Sequence, residues 1–217
     1  MCKTTAGDIM LITLDGLVKK YNMKIVGALH VGAHYGEEVK DYIDHGIKNL
    51  CFFEPLSKSL EILQDNLSEY ADQADIQIYP YALGNQDCEV EMFVSDHGGM
   101  CSSVLKPKIV LEQYPGIKFP RKEKVKMVRL DECEIDPADY NFMNIDVQGY
   151  ELEVLKGAEN LLNNIDYVYT EINVAEVYAN APHVDELDKF LSTYGFSRVE
   201  TDLSGTTWGD AFYIKEK

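Results

Sequence analysis

Short runs rich in Val, Ile, Phe and Tyr alternate along this chain with stretches whose apolar residues recur at helical spacing. KIVGALHVGA precedes EEVKDYIDHG, NLCFFE precedes LSKSLEILQDNLSEY, NFMNIDV precedes YELEVLKGAENLLNN, and DYVYTEIN precedes VDELDKFLSTYG, with IQIYPYALG as a further extended run. Strand-sized apolar runs followed by amphipathic helices are the pattern of βαβ units, whose parallel strands are buried on both faces. Right-handed crossovers then predict a doubly wound α/β sandwich. The chain closes differently. FSRVETDL and DAFYIKE are separated only by SGTTWG, which predicts a terminal β-hairpin and one antiparallel member in a mostly parallel sheet. Near the start, Ile9, Ile12, Leu14, Leu17, Val18 and Tyr21 fall close to helical spacing behind Asp8, a capping residue type. Residues 1–24 therefore read as a helical extension. Residues 95–124 break the alternation with prolines, glycines and a basic cluster of Arg121, Lys122 and Lys124, and read as a long irregular insertion on the acceptor side.

Composition narrows the picture. A length of 217 residues suits one domain spanning 1–217, and 46% hydrophobic residues with only 7 prolines allow a sizeable core. The formal charge of −17 disfavours a nucleic acid partner, because a phosphate backbone is bound through displacement of its counterions by Lys and Arg. Five cysteines without a CxxC suggest neither a disulfide framework nor a zinc cluster, and point to a reducing cytoplasm. The apolar stretch IMLITL ends at Asp15, too short for a signal segment or a membrane span, so no membrane insertion is expected. Nothing in the pattern sets an oligomeric state.

Candidate chemistry gathers at predicted strand ends. HVGAHYG, residues 30 to 36, ends the first sheet strand with Gly32 and Gly36 placed for close approach of the backbone to a ligand. Alone, this stretch fits a cofactor loop or an ordinary strand-to-helix turn. His30 and His34 do not share a helix face as zinc motifs require, so no metal site is assigned. Glu54 ends the next strand 22 residues after Gly32, the placement of a carboxylate that receives both hydroxyls of an adenosine ribose. Pro55 follows it at a helix-initiating position. Such an acid serves NAD or S-adenosylmethionine. Asp146 lies at the end of NFMNID, where a carboxylate can hold a cofactor ammonium, orient an acceptor hydroxyl or remove its proton. Glu171 ends the following strand. Tyr178 and His183 come after it, His183 also standing where it would cap the helix from Val184. Ser102 and Ser103 in the insertion, and Trp208 in the hairpin loop, are either acceptor contacts or turn and packing residues.

Taken together, HVGAHYG, FFEP, YALGN, NFMNIDVQGYELEVLKGAE and the TEIN strand end resemble the FkbM family of S-adenosylmethionine-dependent methyltransferases, over about residues 25 to 215. IDVQGYELEVLKGAE is the most specific segment. The resemblance implies a class I methyltransferase, Rossmann-like three-layer fold with a seven-stranded sheet ending in an antiparallel hairpin. It also implies O-methylation, commonly of sugars or polyketide hydroxyls. On matching positions, Gly32 and Gly36, with Ala33, His34 and Glu37 of the same loop, would cradle the methionine part. Glu54 and Pro55 would meet the ribose, Ala82 and Leu83 the adenine, and Asp146 the reaction end. The generic class I methyltransferase loop begins with an acid and has a central glycine, where this chain has His30 and His34, a variant that resembles some FkbM-like members.

The leading expectation is an O-methyltransferase acting on a carbohydrate hydroxyl. Asp146 is its base or orienter, and Glu171 or His183 assists. Asp146 and Glu171 leave room for a shared divalent cation, although no ligand spacing demands one. Two alternatives are an NAD-dependent oxidoreductase, which lacks its GxGxxG, and a non-catalytic binding module. The three strand-end carboxylates oppose the module, because closed apolar surroundings would make them costly without a ligand.

Overall fold

The structure, a computed structural model, describes residues 10–216. Seven strands form the central sheet: β1 (Gly27–Val31), β2 (Asn49–Phe53), β3 (Asp75–Tyr79), β7 (Phe142–Ile145), β8 (Tyr167–Asn173), β9 (Phe196–Ser204) and β10 (Trp208–Lys215). Their order is β3-β2-β1-β7-β8-β10-β9. The pairs from β3 to β8 are parallel, while β10 runs antiparallel to both β8 and β9, so the hairpin is inserted as expected.

Side-chain alternation in the strands builds two cores. Ala28, Leu50, Phe52, Phe142, Tyr169 and Phe212 face α1 (Leu14–Tyr21), α2 (Val39–Asp44) and α3 (Ser57–Ser68), which contribute Leu14, Leu17, Tyr42, Leu63 and Leu67. Their neighbours Leu29, Val31, Phe53, Met143, Ile145, Val168 and Tyr213 face α5 (Glu151–Lys156) and α6 (Val184–Ser192), through Leu152, Leu155, Leu187 and Leu191. Each fully buried Leu or Phe contributes about 1.5–3 kcal/mol, so a one-residue slip of any central strand would exchange the two faces at prohibitive cost. The order of the sheet and the reversal of crossover side at β1 and β7 open a crevice at their carboxyl ends.

Three sequence expectations are corrected. The first helix starts at Leu14, where the Thr13 hydroxyl accepts from the Gly16 amide, and the proposed Asp8 cap lies outside the described residues. IQIYPYALG is two strands, β3 and the short β4 (Ala82–Leu83), broken at Pro80. The basic cluster is not part of an irregular loop: Arg121, Lys122 and Lys124 lie in β6 (Arg121–Val128), which pairs antiparallel with β5 (Cys88–Val94) and parallel with β4. This second, three-stranded sheet buries Met92, Val94, Val125 and Met127 against Ala82 and Leu56. On its outer face Lys122 pairs with Glu91 at 3.0 Å and Lys124 with Glu89 at 2.9 Å, so the positive charge is spent within the sheet. The remaining connection contains only α4 (Ile109–Gln113). Among the described residues no helix is long and apolar enough to cross a membrane.

Candidate active site

The crevice at the carboxyl ends of β1, β2 and β7 is a cleft of about 560 Å³, lined by Gly32, His34, Glu54, Pro55, Ala82, Leu83, Ser102 and Asp146 among others. A smaller recess of about 370 Å³ adjoins it and shares Gly32, His34 and Asp146, adding His30, Ala33, Glu37 and Glu38. Gly32 has φ +82°, and a Cβ there would stand 1.9 Å from the Asp146 carbonyl oxygen. Only a glycine lets the first loop pass the end of β7 this closely. The Asp146 amide donates to the Val31 carbonyl, and the Gly32 and Ala33 amides donate to that of Phe53, so loop and carboxylate are held as one unit.

Glu54 is the most constrained group in the cleft. Its two carboxylate oxygens accept from the His34 amide at 2.9 Å and the Leu56 amide at 2.8 Å, and the residue is 5% exposed. Burial outweighs these hydrogen bonds and raises its pKa to about 7. The opposite wall is apolar: Tyr81, Ala82, Leu83, Met92 and Tyr150. A Cβ at Gly157 would stand 2.0 Å from the Gly84 carbonyl oxygen, so the end of α5 abuts the turn after β4 and sets that wall, the close approach that a glycine after VLK suggests.

The two histidines have different roles. His30 is buried; its Nδ1 receives the Tyr42 hydroxyl at 3.2 Å, Asn144 donates to that same hydroxyl at 2.9 Å, and the other ring nitrogen faces Glu38 at 3.9 Å. His34, in the left-handed region at φ +48°, has Nδ1 2.7 Å from the Glu37 carboxylate and Nε2 3.0 Å from the Gly98 carbonyl. Both partners only accept, so both ring nitrogens must carry protons and the ring is cationic. Burial opposes the charges of this pair, yet the mutual hydrogen bond raises His34 and lowers Glu37. His34 thereby clasps the 95–100 turn, whose Met100 lines both parts of the cleft.

Beyond Asp146 the polar groups continue. Gln148, at φ +56°, donates to Asp146 at 2.7 Å and to Glu171 at 2.6 Å, and accepts from the Tyr178 hydroxyl at 2.9 Å. Burial, followed by the charge of Asp146, raises Glu171 well above the ordinary carboxylate range. Glu151 accepts from the Val147 and Gly149 amides, and burial raises it to about 7. Asp146 is thus the carboxylate common to the cleft and to this cluster. Ser103 ties the insertion to the same turn by donating to the Gln148 carbonyl at 2.8 Å.

Of the residues singled out in the sequence, Gly36 packs toward Leu63 and Leu67 of α3 without lining the cleft. His183 is exposed and caps α6 in a box with Glu186, away from the cleft lining. Trp208 packs with Val110, Val177 and Tyr178 and donates to the Tyr114 hydroxyl at 3.3 Å. Gln148, Met100, Tyr81 and Tyr150 are cleft residues that sequence reasoning missed. Only Gln148 carried a signal, as a polar residue interrupting a strand-to-helix junction. Among the described residues no three His, Cys, Asp or Glu side chains are grouped to hold a metal ion.

Comparison with known proteins agrees with this fold. The family described as "Methyltransferase FkbM domain" matches residues 30–198. The 2-O-methyltransferase NoeI of Sinorhizobium fredii (strain NBRC 101917 / NGR234) is 24% identical over 161 residues, 69% of this chain and 64% of that protein. Among solved structures, the methyltransferase FkbM of Methylobacillus flagellatus KT aligns with TM-score 0.59 at 17% identity, over 87% of this chain and 43% of that one. The magnesium protoporphyrin IX methyltransferase (ChlM) of Synechocystis PCC 6803, solved with bound SAM, aligns with TM-score 0.54 at 10% identity, over 92% and 74%. This chain therefore has the class I methyltransferase fold and spans less than two thirds of the NoeI sequence.

Proposed function

The chain belongs to the FkbM methyltransferase family, and on that premise we propose that it is an S-adenosylmethionine-dependent O-methyltransferase whose acceptor is a sugar hydroxyl. The observation that carries this reading is the position of Asp146, which lines the cleft and, through Gln148, is joined to the buried Glu171. The residues fit the cofactor. Glu54, fixed by two backbone amides, would receive the ribose hydroxyls, and Ala82 and Leu83 would pack against the adenine. The loop from His30 to Glu37 would hold the methionine end, its Ala33, His34 and Glu37 lining the recess beside Gly32. When bound, S-adenosylmethionine supplies a sulfonium methyl, already strongly electrophilic, so the protein's work is alignment, exclusion of water and removal of one proton.

In this scheme Asp146 accepts the proton of the acceptor hydroxyl as its oxygen takes the methyl group. Gln148 fixes the orientation of Asp146. Burial and the neighbouring charge of Asp146 raise the pKa of Glu171, which disfavours a second negative charge beside the base. Ser102, Ser103, Tyr178 and Trp208 belong to the acceptor side of the molecule, Ser103 and Tyr178 acting by holding the Gln148 turn. A neutral sugar suits a chain of charge −17 better than a phosphate-rich acceptor, and the NoeI relative bears the name of a 2-O-methyltransferase. Replacing Asp146 by Asn tests the assignment. Turnover should fall about 10²–10⁴-fold, the usual contribution of a general base, with cofactor affinity largely kept. Full activity of Asp146→Asn would remove Asp146 from the chemistry.

A further inference from the structure

The two parts of the crevice differ in chemistry. The larger part presents Tyr81, Ala82, Leu83, Met92 and Tyr150, whereas the recess that joins it at Gly32, His34 and Asp146 adds His30, Glu37 and Glu38. Glu54, tied to the His34 amide, stands at the boundary between them. A nucleoside with its base on the apolar wall and its diol on Glu54 therefore has the polar recess at its far end. Among the described residues three carboxylates line that recess, Glu37, Glu38 and Asp146. Glu37 accepts from the His34 ring at 2.7 Å with one oxygen and from the Tyr35 amide at 3.1 Å with the other. Asp146 is held by Gln148 at 2.7 Å and, in the scheme above, serves the acceptor. Glu38 is the third. It is the N-terminal cap residue of α2, yet its side chain makes no capping hydrogen bond and forms part of the recess wall, 7% exposed. His30 Nε2 faces it at 3.9 Å, longer than a hydrogen bond. Asn144 donates to the Tyr42 hydroxyl, which gives its own proton to His30 Nδ1, so the neutral ring carries its proton on Nε2, on the Glu38 side. A donor turned toward a carboxylate favours its ionised form.

We propose that Glu38 is a further cofactor-binding residue, whose carboxylate receives the α-ammonium of S-adenosylmethionine. The inference rests on the S-adenosylmethionine reading above and adds to it the group that recognises the cofactor's amino-acid end. A primary ammonium is the matching chemistry. Its donors suit a carboxylate on the wall, and its positive charge complements a recess lined by Glu37, Glu38 and Asp146. Burial strengthens such a pair, because little water screens the two charges. Glu38 then selects for the intact amino acid, while Glu54 and the apolar wall recognise the nucleoside half.

The test titrates the full chain calorimetrically with two ligands, S-adenosylhomocysteine and its deaminated analogue, which keeps the carboxylate and lacks only the ammonium. Wild type should prefer S-adenosylhomocysteine by about tenfold or more, the usual contribution of a hydrogen-bonded charge. In Glu38→Gln that preference should collapse to within about twofold, through weaker binding of S-adenosylhomocysteine alone, with affinity for the deaminated analogue unchanged. Glu38→Asp, which keeps the charge but draws it back by one methylene, should fall between, and it carries the same comparison if thermal melts show Glu38→Gln to be unfolded. A purely structural role would weaken both ligands equally. That equal loss, a preference that persists in the variants, or a wild type indifferent to the ammonium would overturn the inference while the methyltransferase reading stands. If wild type binds neither ligand, the cofactor reading fails and this inference falls with it.

Discussion

Glu54 provides a quantitative handle on the cofactor site. A ribose diol donates hydrogen bonds and therefore binds the ionised carboxylate, whereas burial lifts the pKa of this group from 4.5 to about 7 in the free protein. If only the ionised form binds, the apparent Kd is the intrinsic value multiplied by one plus the ratio of protonated to ionised Glu54. That factor is about 1.1 near pH 8 and about 11 near pH 6, so affinity should fall about tenfold, or about 1.4 kcal/mol, across that interval. A carboxylate left at 4.5 would change affinity by only about 3% over the same range. The assay is calorimetric titration of S-adenosylhomocysteine from about pH 8 to about pH 6. The pair His34 and Glu37 faces the same loop, so Glu54→Gln is the control: it should bind weakly and with a flat profile. Stability moves in the opposite sense. A carboxyl raised on folding contributes stability that is fully present below about 4.5 and lost as the pH rises through about 7, on the order of 3 kcal/mol for this shift. Ligand-free Glu54→Gln should therefore melt higher than wild type near pH 8, an advantage that shrinks to about a quarter near pH 5 and vanishes below about 4. A wild-type affinity independent of pH between 8 and 6 would refute the argument.

Two further outcomes follow from the geometry. Gly32→Ala should fail to accumulate as folded protein, because its Cβ would fall 1.9 Å from the Asp146 carbonyl oxygen and φ +82° is strained for any L side chain; solubility and circular dichroism report it. Lys122→Ala and Lys124→Ala should each leave the midpoint of denaturant melts and the cofactor affinity essentially unchanged, since their charges are spent on exposed cross-strand partners.

The fold was legible because both faces of the main sheet are buried, which leaves near-continuous apolar runs followed by amphipathic helices. The three-stranded sheet was harder to see. CEVEMFV and RKEKVKMV do alternate apolar and polar residues, but 26 residues of loop separate them, and local periodicity says nothing about pairing over that distance. Glu54 and Asp146 were readable because a strand end preceding a helix has a fixed place in such sheets. The roles of the histidines were not, since they depend on Gly98 and Tyr42, groups brought near only by folding. Gln148 was visible as a polar interruption, but its reach to both Asp146 and Glu171 depends on a left-handed backbone conformation that no neighbouring residue announces.

If this protein moves a methyl group from S-adenosylmethionine to a sugar oxygen, the product is a methyl ether that carries the cofactor's isotope. Incubating it with trideuteromethyl-labelled cofactor and methyl glycosides of neutral sugars, and analysing the products by fragmentation mass spectrometry, tests this most directly. A labelled methyl ether is expected on one ring hydroxyl, formed by wild type and not by Asp146→Asn. Label on nitrogen, carbon or sulfur of another acceptor, or binding of NAD in place of S-adenosylmethionine with no transfer at all, would contradict it.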